Sequence, residues 1–366
     1  MNYIEIGLSF LKTKTLHKAF SVLILIAVCF VAFVGNAATL FSKKESAAIK
    51  TAVGLQDALT NPYPAPEIKG INAWLNSDAL TIASLKGKVI LIDFWTYSCI
   101  NCIRTLPYIT KWDETYRDKG LVIIGIHSPE FGFEKNINNV KKTLQSYNIK
   151  YPVALDNNLD SWTAFKNRFW PAHYLIDKSG NVVYTHFGEG NYTETENNIR
   201  YLLGLKGEVR EVQQNVSFNY NQTPETYLGL ERAENFASPE KLAKNITNFT
   251  AAKSLPKNNW ALSGKWKIEA QKIEAQEANA KLQLNFTAKK VFLVLGSKDS
   301  KPVTLSLLLN GKTLTKEAGS DVKKSAITVS AHQLYELVNQ DSAKNGLLEI
   351  KTSAAGLEAY AFTFGN

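Results

Sequence analysis

Cysteine is scarce in this sequence, with only three residues in a chain of 366. Cys29 lies in an apolar segment near the N-terminus, so Cys99 and Cys102 are the two left for the rest of the chain. This scarcity excludes a framework of structural disulfides between distant segments, which exported domains commonly use. The single Cys-x-x-Cys pair is therefore either a tight structural clip or a redox centre.

A second Cys-x-x-Cys motif is also missing. A structural zinc site requires four ligands, usually cysteine and histidine at close spacing. The chain offers His127, His173 and His186, which are dispersed along the sequence. We therefore predict no metal site and no cofactor.

Dense basic runs are absent too, although the formal net charge is +9. The lysines are scattered, and no run reaches the density of a basic arm that binds nucleic acid. A Lys-rich solvated surface therefore explains the charge better than nucleic-acid binding does.

One long uncharged stretch, residues 19–42, follows three lysines. It is long enough to cross a bilayer as a helix, and the lysines favour a cytoplasmic location for residues 1–18. Two alternatives stay open: a signal peptide cleaved near Gly35-Asn36-Ala37, and a buried core helix, which the lack of a polar face disfavours. We predict a location in the bacterial cell envelope. The rest of the chain would be periplasmic, anchored to the inner membrane or released after cleavage.

The remainder divides into a linker and two domains. Residues 43–66 are predicted to be a linker, because Asn61-Pro-Tyr-Pro-Ala-Pro66 interrupts regular structure and marks an extended linker or a domain entry. Residues 67–207 alternate strand and helix signals, as expected of an α/β layer fold. The predicted strands of this domain are 88–95, 121–127, 151–155, 172–177 and 182–187, and the predicted helices are 99–118, 134–147, 160–166 and 193–203.

Helical periodicity largely stops in the last part of the chain. Residues 215–366 show short strand signals, and Asn310-Gly311 is typical of a two-residue hairpin turn. Many strands with short connections indicate an all-β sandwich domain. The predicted strands are 282–286, 291–295, 303–309, 326–329, 347–351 and 360–364.

The pair Cys99 and Cys102 directly follows the first buried strand and opens a helix. A helix N-terminus presents free N–H groups and a partial positive charge, which stabilise a thiolate. The thiolate is the nucleophile in disulfide exchange. We therefore expect Cys99, at the exposed end, to attack a disulfide, and Cys102, one turn deeper, to resolve the mixed disulfide.

Asp93 lies inside the apolar run that precedes the motif. A carboxylate in such a run is costly unless it has a partner or a task. Six residues before Cys99, it would lie beneath the redox pair and could accept the proton of Cys102. The alternative is a structural aspartate satisfied by local hydrogen bonds.

Two prolines complete the pattern. Pro107 falls five residues after Cys102 within the predicted helix, which it should kink. Pro171 follows Trp170 at the entry to a predicted strand, where an X–Pro bond is usually trans.

Together these residues resemble the thioredoxin superfamily, in its exported thioredoxin-like (TlpA or redoxin) branch. The segment Asp93-Phe-Trp-Thr-Tyr-Ser-Cys99-Ile-Asn-Cys102 carries the likeness, with Pro107 and Trp170-Pro171. The motif, residues 223–229 and residues 356–365 resemble the extracytoplasmic region of the DipZ proteins of cytochrome c biogenesis. The resemblance implies an α/β thioredoxin-like domain followed by an all-β jelly-roll sandwich domain, similar to carbohydrate-binding modules.

The resemblance also implies roles for individual residues and partners. Pro171 would be a cis proline facing the cysteines, and Trp95 and Trp170 would line the groove that binds the substrate. A separate DsbD- or CcdA-like membrane partner would supply electrons, because this chain has one candidate span. Disulfide-containing proteins would be the substrates.

Two departures from the family pattern narrow the range of activities that we expect. Some relatives that mature cytochromes carry a glutamate where this chain has Thr105, which weakens a specific apocytochrome assignment. Thr96 matches a peroxiredoxin threonine, but Ile92 replaces the preceding proline, which argues against peroxide reduction.

Three functions are therefore compared. The first is a thiol–disulfide oxidoreductase, for which we favour the reductase direction over the oxidase direction. The second is a module binding envelope carbohydrate or protein, with Trp260, Trp266 and Tyr335 stacking on sugars. Burial of these three rings in a core is the more probable outcome. The third is an envelope protein with a permanent disulfide clip.

Overall fold

A computed structural model of the protein describes residues 54–207 and 221–365. The predicted cytoplasmic and membrane segments, residues 1–18 and 19–42, lie outside these residues, and so does Cys29. Within the described ranges, no helix combines the length and apolar character that a membrane crossing requires.

The first domain is an α/β layer structure built on a seven-stranded sheet with the order β1-β7-β6-β3-β4-β5-β2. Strands β3, β4 and β5 are parallel to one another, and β6 is antiparallel to β3. The strands are β1 (Tyr63–Pro64), β2 (Ala73–Leu75), β3 (Val89–Trp95), β4 (Leu121–His127), β5 (Val153–Leu155), β6 (Ala172–Ile176) and β7 (Asn181–Phe187). The helices are α1 (Ile100–Tyr116), α2 (Ile137–Ser146), α3 (Asp160–Ala164) and α4 (Tyr192–Leu203).

The centre of this sheet follows directly from its sequence. All seven residues of β3 are buried, because neighbouring strands and both layers cover it, as in parallel sheets generally. The α/β prediction and its main strands are confirmed.

One predicted helix, 134–147, is divided in the structure. A 3-10 turn covers Gly132–Lys135, and α2 begins at Ile137. Asn136 separates them because its side chain accepts the N–H of Asn138 at 2.9 Å, which caps α2.

The proline-rich segment at the end of the predicted linker contacts the sheet of the first domain. Tyr63–Pro64 already form an edge strand on β7. Proline is tolerated there because its missing N–H faces away from the sheet. The proline-rich segment is thus extended, as predicted, but it belongs to the fold.

The second domain, residues 221–365, is all-β, as predicted. Its strands are β8 (Thr226–Tyr227), β9 (Ile246–Phe249), β10 (Trp260–Ile268), β11 (Ile273–Ala275), β12 (Lys281–Ser297), β13 (Val303–Leu309), β14 (Lys312–Thr313), β15 (Ala326–Val329), β16 (Gln333–Thr352) and β17 (Leu357–Gly365). The Asn310-Gly311 hairpin is confirmed, since Leu309 pairs with Lys312 and both turn residues have positive φ.

Two strands, β12 and β16, are much longer than predicted, and β16 covers Gln333–Thr352 where the sequence predicts a strand only at 347–351. The strands expected at 282–286 and 291–295 are one strand, β12, with register irregularities between Ala288 and Phe292. The first half of β12 pairs with β10 and the second half with β17. An irregularity of this kind lets one strand change partners without ending, which the sequence pattern did not reveal.

The aromatic residues considered for sugar stacking lie in the core of this domain. Trp260 and Trp266 are fully buried, and Tyr335 is 5% exposed. Each polar atom bonds to a main-chain carbonyl, of Glu234, Ser263 and Ala331 respectively. The core interpretation is therefore confirmed for all three.

Candidate active site

The two cysteines occupy the start of α1. Cys99 is the N-cap residue, with φ −82° and ψ 116°, and its Sγ accepts the N–H of Cys102 at 3.2 Å. Cys99 is partly exposed, whereas Cys102 is 1% exposed. Both are free thiols. The structure thus gives one sulfur access to solvent and keeps the other beneath it.

Burial separates the two thiols chemically. It raises the pKa of Cys102 well above its usual value, and contact with Cys99 and the charge of Asp93 add to that rise. Cys102 therefore stays protonated unless a nearby group takes its proton. The N–H donor at Cys99 Sγ belongs to the first turn of α1, where the helix dipole favours negative charge.

A loop containing a cis peptide bond faces Cys99. The bond between Trp170 and Pro171 is cis, as the resemblance implies. The Cys99 thiol points to the carbonyl oxygen of Trp170 at 3.9 Å. The Trp170 indole donates to the Ser128 carbonyl at 2.9 Å and lies 4.2 Å from the ring of Trp162. Trp170 is partly exposed, so it can contact a molecule bound at Cys99.

Trp95 differs from the expectation that it lines the groove. Its side chain is 0% exposed, because it ends a strand that is covered on both faces. A Cβ added at Gly125 would lie 3.0 Å from the Trp95 indole nitrogen, so these two residues pack closely. Trp95 supports the site from beneath and has no surface for substrate.

Asp93 lies beneath the cysteines, 1% exposed. Its Oδ1 is 3.4 Å from Nε2 of His173. The angle does not make a hydrogen bond, so Asp93 Oδ1 and both ring nitrogens of His173 are buried without partners among the described residues. Burial first, and then the charges of Asp93 and Cys102, raise the pKa of Tyr151 well above its usual value. The site therefore contains a buried carboxylate close to the buried thiol.

A second buried carboxylate, Glu134, was missed in the sequence. It accepts hydrogen bonds from the Ser98 hydroxyl at 2.5 Å and from the N–H groups of Glu130 and Phe131 at 2.6 and 2.9 Å. Burial is the main cause that raises its pKa to about 7. Glu134 thus anchors the residue that precedes Cys99. The sequence placed it at the start of a solvent-facing helix, so no signal marked it.

The loop that carries Glu134, residues 128–135, is called here the bridging loop because it contacts both domains. Phe131 and Phe133 pack on Tyr360 with ring centroids 5.2 and 4.8 Å apart. The Gly132 N–H donates to the Gln271 side chain at 3.0 Å. The second domain therefore contacts the loop that flanks the redox motif.

Pro107 and Thr105 lie further along α1. The helix continues through Pro107, which is exposed. Thr105 is buried, and its hydroxyl donates to the carbonyl of Asn101 at 2.9 Å. No carboxylate takes this place, in agreement with the departure noted in the sequence. No set of three or more metal-binding side chains converges within residues 54–207 and 221–365.

Comparison with known proteins covers both domains. The Redoxin family model matches residues 61–203, and the model of the Thioredoxin like C-terminal domain matches residues 223–365. Protein DipZ of Mycobacterium tuberculosis is 38% identical over 318 residues, 82% of this chain and 43% of DipZ. The chain therefore spans less than half the length of that relative.

Two shorter relatives match the first domain. Thiol-disulfide oxidoreductase YkuV of Bacillus subtilis is 31% identical over 127 residues, 35% of this chain and 84% of YkuV. Thiol-disulfide oxidoreductase ResA of Bacillus cereus is 30% identical over 122 residues, 33% of this chain and 68% of ResA. With its Cys-x-x-Cys pair at a helix N-terminus, the chain belongs to the thioredoxin-like thiol–disulfide oxidoreductases.

Proposed function

We propose that this protein is an extracytoplasmic thiol–disulfide reductase that acts on protein disulfides through Cys99 and Cys102. One observation carries the proposal. Cys99 caps α1, partly exposed, beside the cis Trp170–Pro171 bond, while Cys102 is buried and bonded to it through its N–H. A permanent clip would not require an accessible sulfur on a helix N-terminus.

The reaction follows from this arrangement. The Cys99 thiolate attacks one sulfur of the substrate disulfide, and the other substrate sulfur leaves as a thiolate that takes a proton from solvent. Cys102 then gives its proton to Asp93, its sulfur attacks Cys99 Sγ, and the second substrate sulfur leaves and is protonated in turn. The substrate gains two electrons and two protons, and the cysteine pair becomes a disulfide.

Protein disulfides fit the surroundings of Cys99. Trp170 and Pro171 form one side of the approach to the sulfur. A cavity of about 150 Å³ adjoins Trp170, and Tyr227, Arg232 and Gln271 of the second domain line its far side. A cavity of that size accommodates a side chain next to the substrate cysteine, so a folded or extended polypeptide can use both domains.

Location, electron donor and pathway are inferred from other features. Residues 19–42 would anchor the chain in the inner membrane or direct its export to the periplasm. A DsbD- or CcdA-like membrane protein would return electrons to the pair. The resemblance of the motif to the DipZ proteins supports a role in cytochrome c biogenesis, and the likeness to thiol-disulfide oxidoreductase ResA supports a general role in the reduction of envelope disulfides.

Trapping of mixed disulfides tests the proposal. In Cys102→Ser, the first attack proceeds but resolution does not, so substrates should accumulate bound to Cys99 in envelope extracts. Cys99→Ser is the matched control and should trap nothing. The wild-type protein should also reduce insulin. Absence of adducts together with absence of insulin reduction would overturn the enzyme assignment.

A second candidate function is binding of envelope carbohydrate. A cavity of about 470 Å³ lies at the domain boundary and includes Phe133, Gln271 and Tyr360, which combine aromatic surface with a polar amide. Glycan-array binding by the full chain, lost in Gln271→Ala, would support this function. An array without signal would leave the second domain as a support for the redox domain.

A further inference from the structure

Three titratable residues are aligned across neighbouring strands of the first domain. Asp93 on β3 pairs directly with His173 on β6, and His173 pairs directly with His186 on β7. Directly paired residues present their side chains on the same face of a sheet. The strand register therefore places a carboxylate and two imidazoles in one row, which we call the Asp93 column.

The column leads from the buried thiol toward the surface. Asp93 is 1% exposed, His173 is fully buried, and His186 is partly exposed. Asp93 Oδ1 is 3.4 Å from His173 Nε2, and the two imidazole centroids are 6.0 Å apart. Only the His186 end of the row is therefore partly exposed, whereas the end next to Cys102 is buried.

The nitrogens in the column are available for proton exchange. Both nitrogens of His173 and Nε2 of His186 are buried without hydrogen-bond partners in the described part of the chain. Such groups are rare in proteins and require an explanation. Burial, and then the charge of His173, lower the pKa of His186 to about 4, so His186 is neutral at neutral pH and would release a transferred proton readily.

The proposed reaction creates a need for this row. Each resolution step moves the Cys102 proton to Asp93, and each re-reduction of the disulfide by the electron donor requires a proton back at Cys102. Asp93 has almost no contact with solvent. Tyr151, the phenol near Asp93 and Cys102, has a raised pKa and does not accept a proton at neutral pH.

We propose that His173 and His186 carry the proton between Asp93 and solvent, as a relay that serves Cys102. In the oxidising direction the proton moves from Cys102 to Asp93, His173, His186 and bulk water. In the reducing direction the order is reversed, and no further reactant is needed. The relay rests on the proposed function, because it has a task only if Cys102 resolves mixed disulfides. Because His173 and His186 act on Cys102 only through Asp93, we class them as positioning residues and not as catalytic residues.

Reaction with the chromogenic disulfide DTNB separates the two steps. Reduced protein releases one thionitrobenzoate when Cys99 attacks and a second when Cys102 resolves the adduct. In stopped-flow experiments on the full chain, His173→Gln and His186→Gln should leave the first release unchanged. The second should slow by about tenfold or more, at the low end of general acid–base effects. His332→Gln, a histidine substitution in the second domain, should leave both releases unchanged.

Chemical rescue distinguishes proton transfer from structural support. In His186→Ala, added imidazole should restore the second release, because His186 is partly exposed and leaves room for a small base. Unchanged second release in both glutamine variants would overturn the relay, and so would equal slowing of both releases or failure of imidazole. If His173→Gln does not fold, the variants His186→Gln and His186→Ala still test the relay. Absence of the first release in the wild type would instead overturn the proposed function.

Discussion

Two buried carboxylates flank the redox motif, and their surroundings are opposite. Glu134 accepts three hydrogen bonds, from one hydroxyl and two N–H groups. Asp93 has an Oδ1 without a partner among the described residues and an imidazole at 3.4 Å that is not aligned with it. Both side chains are almost completely removed from solvent. The difference therefore lies in hydrogen bonding and not in burial.

This contrast separates a structural acid from one suited to proton transfer. A buried acceptor that is fully bonded fixes its neighbours, and its loss leaves donors unpaired at a cost of about 1–3 kcal/mol each. A buried acceptor with a free oxygen costs stability in the folded state and can take a proton without breaking other bonds. Glu134 thus holds Ser98 in place, whereas the unpartnered oxygen of Asp93 is consistent with the proton exchange with Cys102 that we propose.

The largest expected effect is on the reaction of Asp93→Asn. Asparagine keeps the shape but cannot accept the proton, so the second thionitrobenzoate release should slow by about 100-fold, within the range for general bases. Stability should stay unchanged or rise, because a buried carboxylate with an unpaired oxygen is removed. Stopped-flow kinetics and urea unfolding measure the two quantities. A variant with normal kinetics and reduced stability would make Asp93 a structural residue.

The second largest effect is the contribution of Glu134 to the pH dependence of the free energy of unfolding. Its pKa is about 7 in the folded protein, above the usual 4.5, so folding favours the protonated form. The stabilisation is therefore complete below pH 4.5 and is lost as the pH rises through 7, by about 3 kcal/mol in total. The charges facing Glu134 are those of Glu130 and, at high pH, Tyr97.

Glu134→Gln isolates this contribution. Glu225 also has a pKa raised to about 7, so the wild-type curve alone combines two carboxylates. The difference in unfolding free energy between the wild type and the glutamine variant should decrease as the pH rises from 4.5 to 7.5. A constant difference over that range would contradict the assignment to Glu134.

A smaller effect is expected from Ser98→Ala. The change removes one donor to Glu134 and should lower the free energy of unfolding by about 1.5–3 kcal/mol, the range for a hydrogen bond to a charged group. Ser297→Ala is the matched control, since Ser297 is fully buried and its hydroxyl has no partner in the described residues. The two variants would lose equal stability if the Ser98–Glu134 bond contributed nothing.

The same contrast explains what sequence reasoning could find. Asp93 was predicted because a charged residue in an apolar run is conspicuous by itself. His173 and His186 were recognised only as dispersed, because their alignment with Asp93 depends on strand register, which pairs Asp93 with His173, 80 positions away, and His173 with His186. Glu134 was hidden because its hydroxyl partner, Ser98, lies 36 positions away in the sequence. Local patterns therefore predicted the cysteines, Asp93 and the main strands, while long-range pairing determined the rest.

The smallest effect tests how the second domain holds the bridging loop. Arg232 pairs with Glu130 at 2.8 Å and lies 3.6 Å from the ring of Tyr227. Because Arg232 is partly exposed, Arg232→Ala should cost about 1 kcal/mol in urea unfolding, somewhat more than an isolated surface pair. Lys344→Ala, which removes an exposed ion pair with Asp341, should leave the free energy of unfolding nearly unchanged. Neither change should alter the two thionitrobenzoate releases. A slower second release in Arg232→Ala would mean that the bridging loop controls Cys102 as well as Ser98. Glu134 and Asp93 would then no longer have separate roles.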